Sequence, residues 1–174
     1  MADPHSPDPH AVGKRYGKWM MALAWVTLAG LLTLYFDARL ARQYNPNNTL
    51  QPALDNTITL KQNRQGHYVT SGLINQQPVV LLLDTGATEI SIPTAVAERL
   101  GLSAGQSFPV NTANGRIMVR KTQLESLSIG GLTMYDLSAN INPGLGGETI
   151  LLGMNALKDL ELIQRGNTLT LRKY

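Results

Sequence analysis

Asp84 is the residue of this chain whose type and setting most need a chemical reason. It ends the apolar run Val79, Val80, Leu81, Leu82, Leu83 in the stretch PVVLLLDTGATEISIP, Pro78 to Pro93. An apolar run bounded in this way reads as a buried strand, and an unpaired carboxylate is costly to bury there. A carboxylate held against that cost is suited to general acid–base chemistry. Thr85 and Gly86 complete an Asp-Thr-Gly triplet, and Ala87 follows. The triplet alone is weak evidence, since ordinary residue usage produces it by chance. Its bland reading is a turn aspartate at a strand end, with Thr85 and Gly86 completing the turn. Two downstream features give it context. Asn114-Gly115, inside Val110 to Met118, is a strong hairpin-turn signal. A second apolar run ending at glycine, ILLG from Ile150 to Gly153, begins 66 residues after Asp84.

Other chemistries find little support. The chain has no cysteine, which excludes a disulfide framework, a thiol nucleophile and cysteine-ligated zinc. His5, His10 and His67 are scattered, so a histidine-ligated metal is not expected either. The loop GLGG, Gly144 to Gly147, lacks the Gly-Lys-Ser/Thr ending of a phosphate-binding loop. Net charge is +3, but Lys14, Arg15, Lys18, Arg39 and Arg42 all flank one apolar segment. From Gln43 onward 10 basic residues face 9 acidic ones, so no nucleic-acid footprint remains.

That apolar segment, Trp19 to Phe36, holds 18 residues without a charge. As a helix it is about 27 Å long, close to the thickness of a bilayer core. Trp19 and Tyr35 stand at its ends, where amphipathic rings favour the headgroup boundary. A cleaved signal peptide would need a shorter apolar core followed by a small-x-small site, and neither is present. The expected organisation is a cytoplasmic tail over 1–18, a transmembrane helix over 19–36, a linker over 37–56 and one folded domain over 57–174. The slight excess of positive charge before the helix leans towards a domain outside the cytoplasm.

Within the domain, 43% apolar content overall and many short alternating runs predict an all-β sandwich or closed barrel. ITLKQ and HYVTSGLI, separated by NRQG, read as a hairpin. TAVAERLG between Pro93 and Gly101 reads as a short helix. MNALKDL reads as another, and ELIQ-RGN-TLTLRKY as a closing hairpin.

Taken together, VLLLDTGATEISIP, ERLGL, NTANG and ILLGMNALKDLELIQRGNTLTL resemble the retropepsin-like, or retroviral-type, aspartic proteases over roughly Ile58 to Leu171. The anchor and linker match the bacterial membrane-anchored branch. The resemblance implies an all-β closed barrel with one or two short helices behind one transmembrane helix. It also implies an aspartic-type endopeptidase that uses no cofactor and no metal, a polypeptide substrate, and a site in the periplasm on the bacterial inner membrane. Asp84 would activate water; Thr85, Gly86 and Ala87 would form the active-site loop; Asn111, Thr112, Ala113, Asn114 and Gly115 would form a flap; Leu151, Leu152 and Gly153 would form a supporting loop.

Peptide hydrolysis without a metal or covalent intermediate needs two carboxylates that share a proton, because like charges so close cannot both ionise. The chain carries one Asp-Thr-Gly and is too short for two lobes. The second aspartate must then come from a second chain, in a two-fold symmetric homodimer. In the family the Thr85 hydroxyls brace the loops across that axis and Gly86 allows close backbone approach. A serine at position 87 would hydrogen-bond the charged aspartate; alanine cannot, which predicts an activity optimum at mildly acidic to near-neutral pH. One departure is that Gly153 is followed by Met154 and Asn155 where the retroviral enzymes carry a basic residue first, so an expected ion pair is missing. A catalytically silent, membrane-tethered peptide-binding or dimerisation module on the same fold is the alternative. An unrelated β-domain with Asp84 as a turn residue is a second.

Overall fold

An uncharged apolar run without proline can satisfy its backbone polar groups alone as a helix, and Trp19 to Phe36 does so. The computed structural model describes residues 9–50, 56–112 and 115–173. Its first element, α1, runs over Pro9–Tyr44. Residues 17–42 of it are exposed throughout, and from Gly17 on it is long and apolar enough to cross a membrane. The helix stops where Pro46 disfavours helical backbone at the residue before it, Asn45. The linker expected over 37–56 is therefore helix as far as Tyr44. Asn45 and Asn47 are buried, and residues 51–55 lie outside the described ones. Turn formers misled the sequence reading here, because asparagine side chains can satisfy buried backbone as readily as they open loops.

The chain divides into two units, Met1–Ala41 and Arg42–Tyr174. Among its described residues the second holds ten strands and two short helices: β1 (Thr57–Lys61), β2 (Val69–Ile74), β3 (Gln77–Leu83), β4 (Ile90–Pro93), α2 (Thr94–Arg99), β5 (Ser107–Thr112), β6 (Gly115–Ile129), β7 (Leu132–Asn142), β8 (Thr149–Leu152), α3 (Met154–Leu157), β9 (Leu160–Arg165) and β10 (Thr168–Lys173). Six strands follow the order β2-β3-β8-β4-β7-β6, and β6 returns to pair with β2 through Leu73–Ser128 and Ile74–Leu127. That last pairing closes the barrel, as the sequence predicts, and leaves its strands without free edges. β5 lies outside the ring, paired only with the first half of the long β6. Its Pro109 is tolerated because an edge strand can spare a backbone donor.

The hairpin expected from ITLKQ and HYVTSGLI does not form. β1 pairs instead with β10, and β10 with β9, in a separate three-stranded antiparallel sheet. Local turn chemistry was read correctly at NRQG, where Asn63 N–H donates to the His67 carbonyl at 2.8 Å. The partner choice was set by distant strands, which no local pattern reveals. β2 turns into β3 through Asn75 and Gln76, both at positive φ (47° and 65°), the backbone a two-residue hairpin needs.

Ile74, Leu81, Ile90, Ile92, Leu124, Ile150 and Leu152 fill the barrel, each essentially without solvent exposure. Each such side chain contributes roughly 1.5–3 kcal/mol by leaving water. Leu60 and Leu171 carry the same core into the smaller sheet.

Candidate active site

β3 carries Asp84 to its position. Its burial alternates rather than staying continuous: Val79 and Leu81 are buried, whereas Val80, Leu82 and Leu83 are only partly so. The expectation of a strand dry on both faces is corrected accordingly. Asp84 is partly buried, and Thr85 and Gly86 are exposed. In the single chain the carboxylate thus stands at the mouth of the barrel, beside an apolar surface of Leu82 and Leu83.

The loop after β3 is held by backbone hydrogen bonds together with the side chains of Asp84 and Asn155. Asp84 N–H donates to the Leu152 carbonyl at 3.1 Å, and Ala87 N–H donates to the Asp84 carbonyl at 3.2 Å. One carboxylate oxygen of Asp84 accepts the Gly86 N–H at 2.9 Å. A carboxylate anchored in this way to its own turn has one oxygen committed and keeps the other for chemistry. Among the described residues the Thr85 hydroxyl has no recorded partner.

β8 lies parallel to β3, with Leu82 beside Leu151 and Leu83 beside Leu152. This brings the second apolar run, 66 residues downstream, directly against the first. At its end, Met154 N–H donates to the Ala87 carbonyl at 2.8 Å and Asn155 N–H to the Thr88 carbonyl at 3.0 Å. Gly153 is required by contact. A Cβ built on it would lie 2.5 Å from the Glu89 carbonyl oxygen and 2.8 Å from the Glu89 nitrogen. Asn155 was not among the sequence-predicted site residues, yet it does most to hold the loop. Its side-chain oxygen accepts the Ile90 N–H at 3.1 Å and its amide donates to the Ser138 carbonyl at 2.6 Å. The sequence signal was available: an asparagine two residues past the glycine can both accept and donate, which Met154 cannot.

The sequence-predicted flap is a β-hairpin of β5 and β6. Asn111 pairs with Arg116 and Thr112 with Gly115. Gly115 therefore stands in the strand, with φ at +107°, rather than in the turn where the Asn-Gly signal placed it. Ala113 and Asn114 lie outside the described residues. Ile117 packs near Gly144, and Met118 is exposed. The structure thus brings Asp84, Thr85, Gly86 and Ala87 together with Leu151, Leu152 and Gly153, while the described flap residues lie on a separate arm.

Comparison with known proteins agrees with this geometry. A family model described as gag-polyprotein putative aspartyl protease matches residues 70–159, just over half of the chain, and the chain belongs to that family of retropepsin-like aspartic proteases. A retropepsin-like aspartic protease from Rickettsia conorii, known from its crystal structure, superposes with a TM-score of 0.57 at 25% identity, over 67% of this chain and 90% of that one. The EIAV protease complexed with the inhibitor HBY-793 gives a TM-score of 0.47 at 23% identity, over 57% and 93%. An uncharacterized protein in the cobV 5' region of Sinorhizobium sp is 34% identical over 119 residues, or 66% of this chain. The chain spans 51% of the length of that relative.

Proposed function

We propose that this protein is a membrane-anchored aspartic endopeptidase, active as a homodimer in which two Asp84 carboxylates, one from each chain, activate a water and protonate the scissile carbonyl. The observation that carries the reading is the setting of Asp84. It ends β3 on a loop fixed by Leu152, Gly153 and Asn155, with one oxygen tied to Gly86 and the neighbouring Thr85 and Gly86 exposed. A turn aspartate needs no such bracing. Exposed loop residues next to partly buried Leu82 and Leu83 suit a partner chain that brings an identical loop across a two-fold axis. There the Thr85 hydroxyl, without a partner among the described residues of one chain, would meet its mate. Arms built from β5 and β6 would close over an extended peptide and exclude water.

The anchor is α1, crossing the bacterial inner membrane through residues 19–36, with the protease domain in the periplasm. The reading is tested with the full chain in detergent or vesicles on a random peptide library, wild type beside Asp84→Asn, from acid to neutral pH. Cleavage is expected from wild type and is expected to vanish in the variant. Cleavage that survives Asp84→Asn would overturn the mechanism. A folded, dimeric wild type that binds library peptides without cutting any would establish the silent module instead.

A further inference from the structure

The residues that leave the helix are built into the protease domain. Asn47 is 4% exposed and Asn45 7%. The Asn47 amide donates to the Lys61 carbonyl at 2.8 Å and to the Val69 carbonyl at 2.7 Å, and its side-chain oxygen accepts the Lys61 N–H at 2.7 Å. Its own carbonyl accepts the Ser71 N–H and the Thr70 hydroxyl, each at 3.3 Å. Asn45 accepts the Asn47 N–H at 3.1 Å and donates to the Ser71 hydroxyl at 3.1 Å. One asparagine side chain therefore joins the end of β1 to the start of β2, which do not pair with each other. Just before it, the Tyr44 carbonyl accepts from Asn63 at 3.1 Å, and the Tyr44 hydroxyl meets the Thr149 hydroxyl at 2.7 Å. Thr149 heads β8 and lies beside Val80, four residues before Asp84.

These contacts shorten the free connection between membrane and enzyme. Were 37–56 a loose linker, it could extend about 70 Å from Phe36 to Thr57. With Tyr44 docked, the connection from Phe36 spans at most about 28 Å fully extended, and about 12 Å as helix. Asp84 lies a further four strand residues from the Thr149–Val80 pair, about 13 Å. Chain length and the Tyr44–Thr149 contact, whatever the orientation, then hold Asp84 within about 60 Å of the end of the apolar run.

We propose that this docking makes the anchor a tether of short, fixed length, so that the substrates are membrane-proximal stretches of polypeptide, the exposed stems of other membrane proteins. The inference rests on the membrane-anchored endopeptidase reading and adds the class of substrate to it. Free polypeptide in bulk solution gains nothing from the anchor, whereas a stem confined to the same surface and the same height meets the enzyme at high effective concentration.

The test uses the full chain in phospholipid vesicles and one peptide already found to be cut in solution. That peptide is carried on lipid-anchored rigid helical stems that hold it about 30 Å or about 120 Å above the bilayer. Wild type is expected to cut the near site at least about tenfold faster than the far one. Inserting about 200 Gly/Ser residues between Asp37 and Ala38, whose r.m.s. reach of about 80 Å spans the gap to the far site and which leaves Asn47 and its contacts in place, is expected to bring the two rates within about threefold. Equal rates at both heights for wild type, or an insertion that leaves the discrimination intact, would overturn the tether while leaving the protease reading standing. If no library peptide is cut in solution at any pH, so that no such peptide is found, the protease reading falls and the tether with it.

Discussion

Asp84 is asked to be both a structural and a reactive group, and its two oxygens divide the work. One accepts the Gly86 N–H and fixes the turn; in the proposed dimer the other faces the second carboxylate and the water. Asparagine at this position keeps the shape and the acceptor but cannot exchange the proton. Asp84→Asn is expected to lower kcat by at least about a thousandfold, the scale of a lost general acid–base, without loss of thermal stability. In the homodimer the substitution replaces both carboxylates of the pair and so removes their like-charge repulsion, which should leave dimer affinity equal or higher. Ala87 is the other residue with a testable electrostatic role. A serine hydroxyl there would donate to the ionised pair and hold it ionised to lower pH. The acid limb of kcat/KM is expected to move to lower pH in Ala87→Ser, because the catalytically competent ionised state then survives further into acid. An unmoved limb would show that position 87 does not reach the carboxylates. At this scale the sequence was most informative, since the Asp-Thr-Gly triplet and the glycine after Ile150-Leu151-Leu152 carry their chemistry in the residue types themselves. Asn155 was less legible because its work depends on Ile90 and Ser138, which only the fold brings near.

The elements that position these residues depend on two close fits. Gly153 allows the start of α3 to pass the Glu89 backbone at a distance no side chain permits. Gly153→Ala is therefore expected to push the Thr88–Glu89 loop away from α3, lowering the melting temperature and abolishing cleavage together. Retained activity with an unchanged melting temperature would contradict the fit. Asn47 is the second. Its removal leaves the Val69 carbonyl without this partner in a buried place, at about 1–3 kcal/mol, and the Lys61 N–H and carbonyl, only part-buried, without theirs at a smaller cost. Asn47→Ala is expected to cost about 2–4 kcal/mol in urea unfolding, against less than about 1 kcal/mol for Tyr44→Phe, whose bond to Thr149 is exposed. Most strands and both short helices were legible from alternation and from the Pro93 and Gly101 punctuation. The pairing of β1 with β10 was not, because register between segments more than a hundred residues apart is decided by side chains meeting in the core, such as Leu60 and Leu171. The segment from Gln43 to Asn47 was misread for a related reason. Its composition suits a solvated linker, and only the absence of a hairpin between β1 and β2 leaves a gap that an asparagine can fill.

At the scale of the whole molecule, a closed barrel in a single chain places one Asp-Thr-Gly loop at its rim and leaves Thr85 and Gly86 exposed. In the proposed homodimer this half-site becomes an enzyme only when two chains meet, each giving one Asp84. The most direct measurement is the activity of assemblies formed by co-expressing wild type with Asp84→Asn at varied ratios and fixed total protein. If both aspartates of a pair are needed, activity follows the square of the wild-type fraction, so an equal mixture retains about a quarter of full activity. Activity that falls only in direct proportion, to about a half, would mean that each chain acts alone and would contradict the shared site.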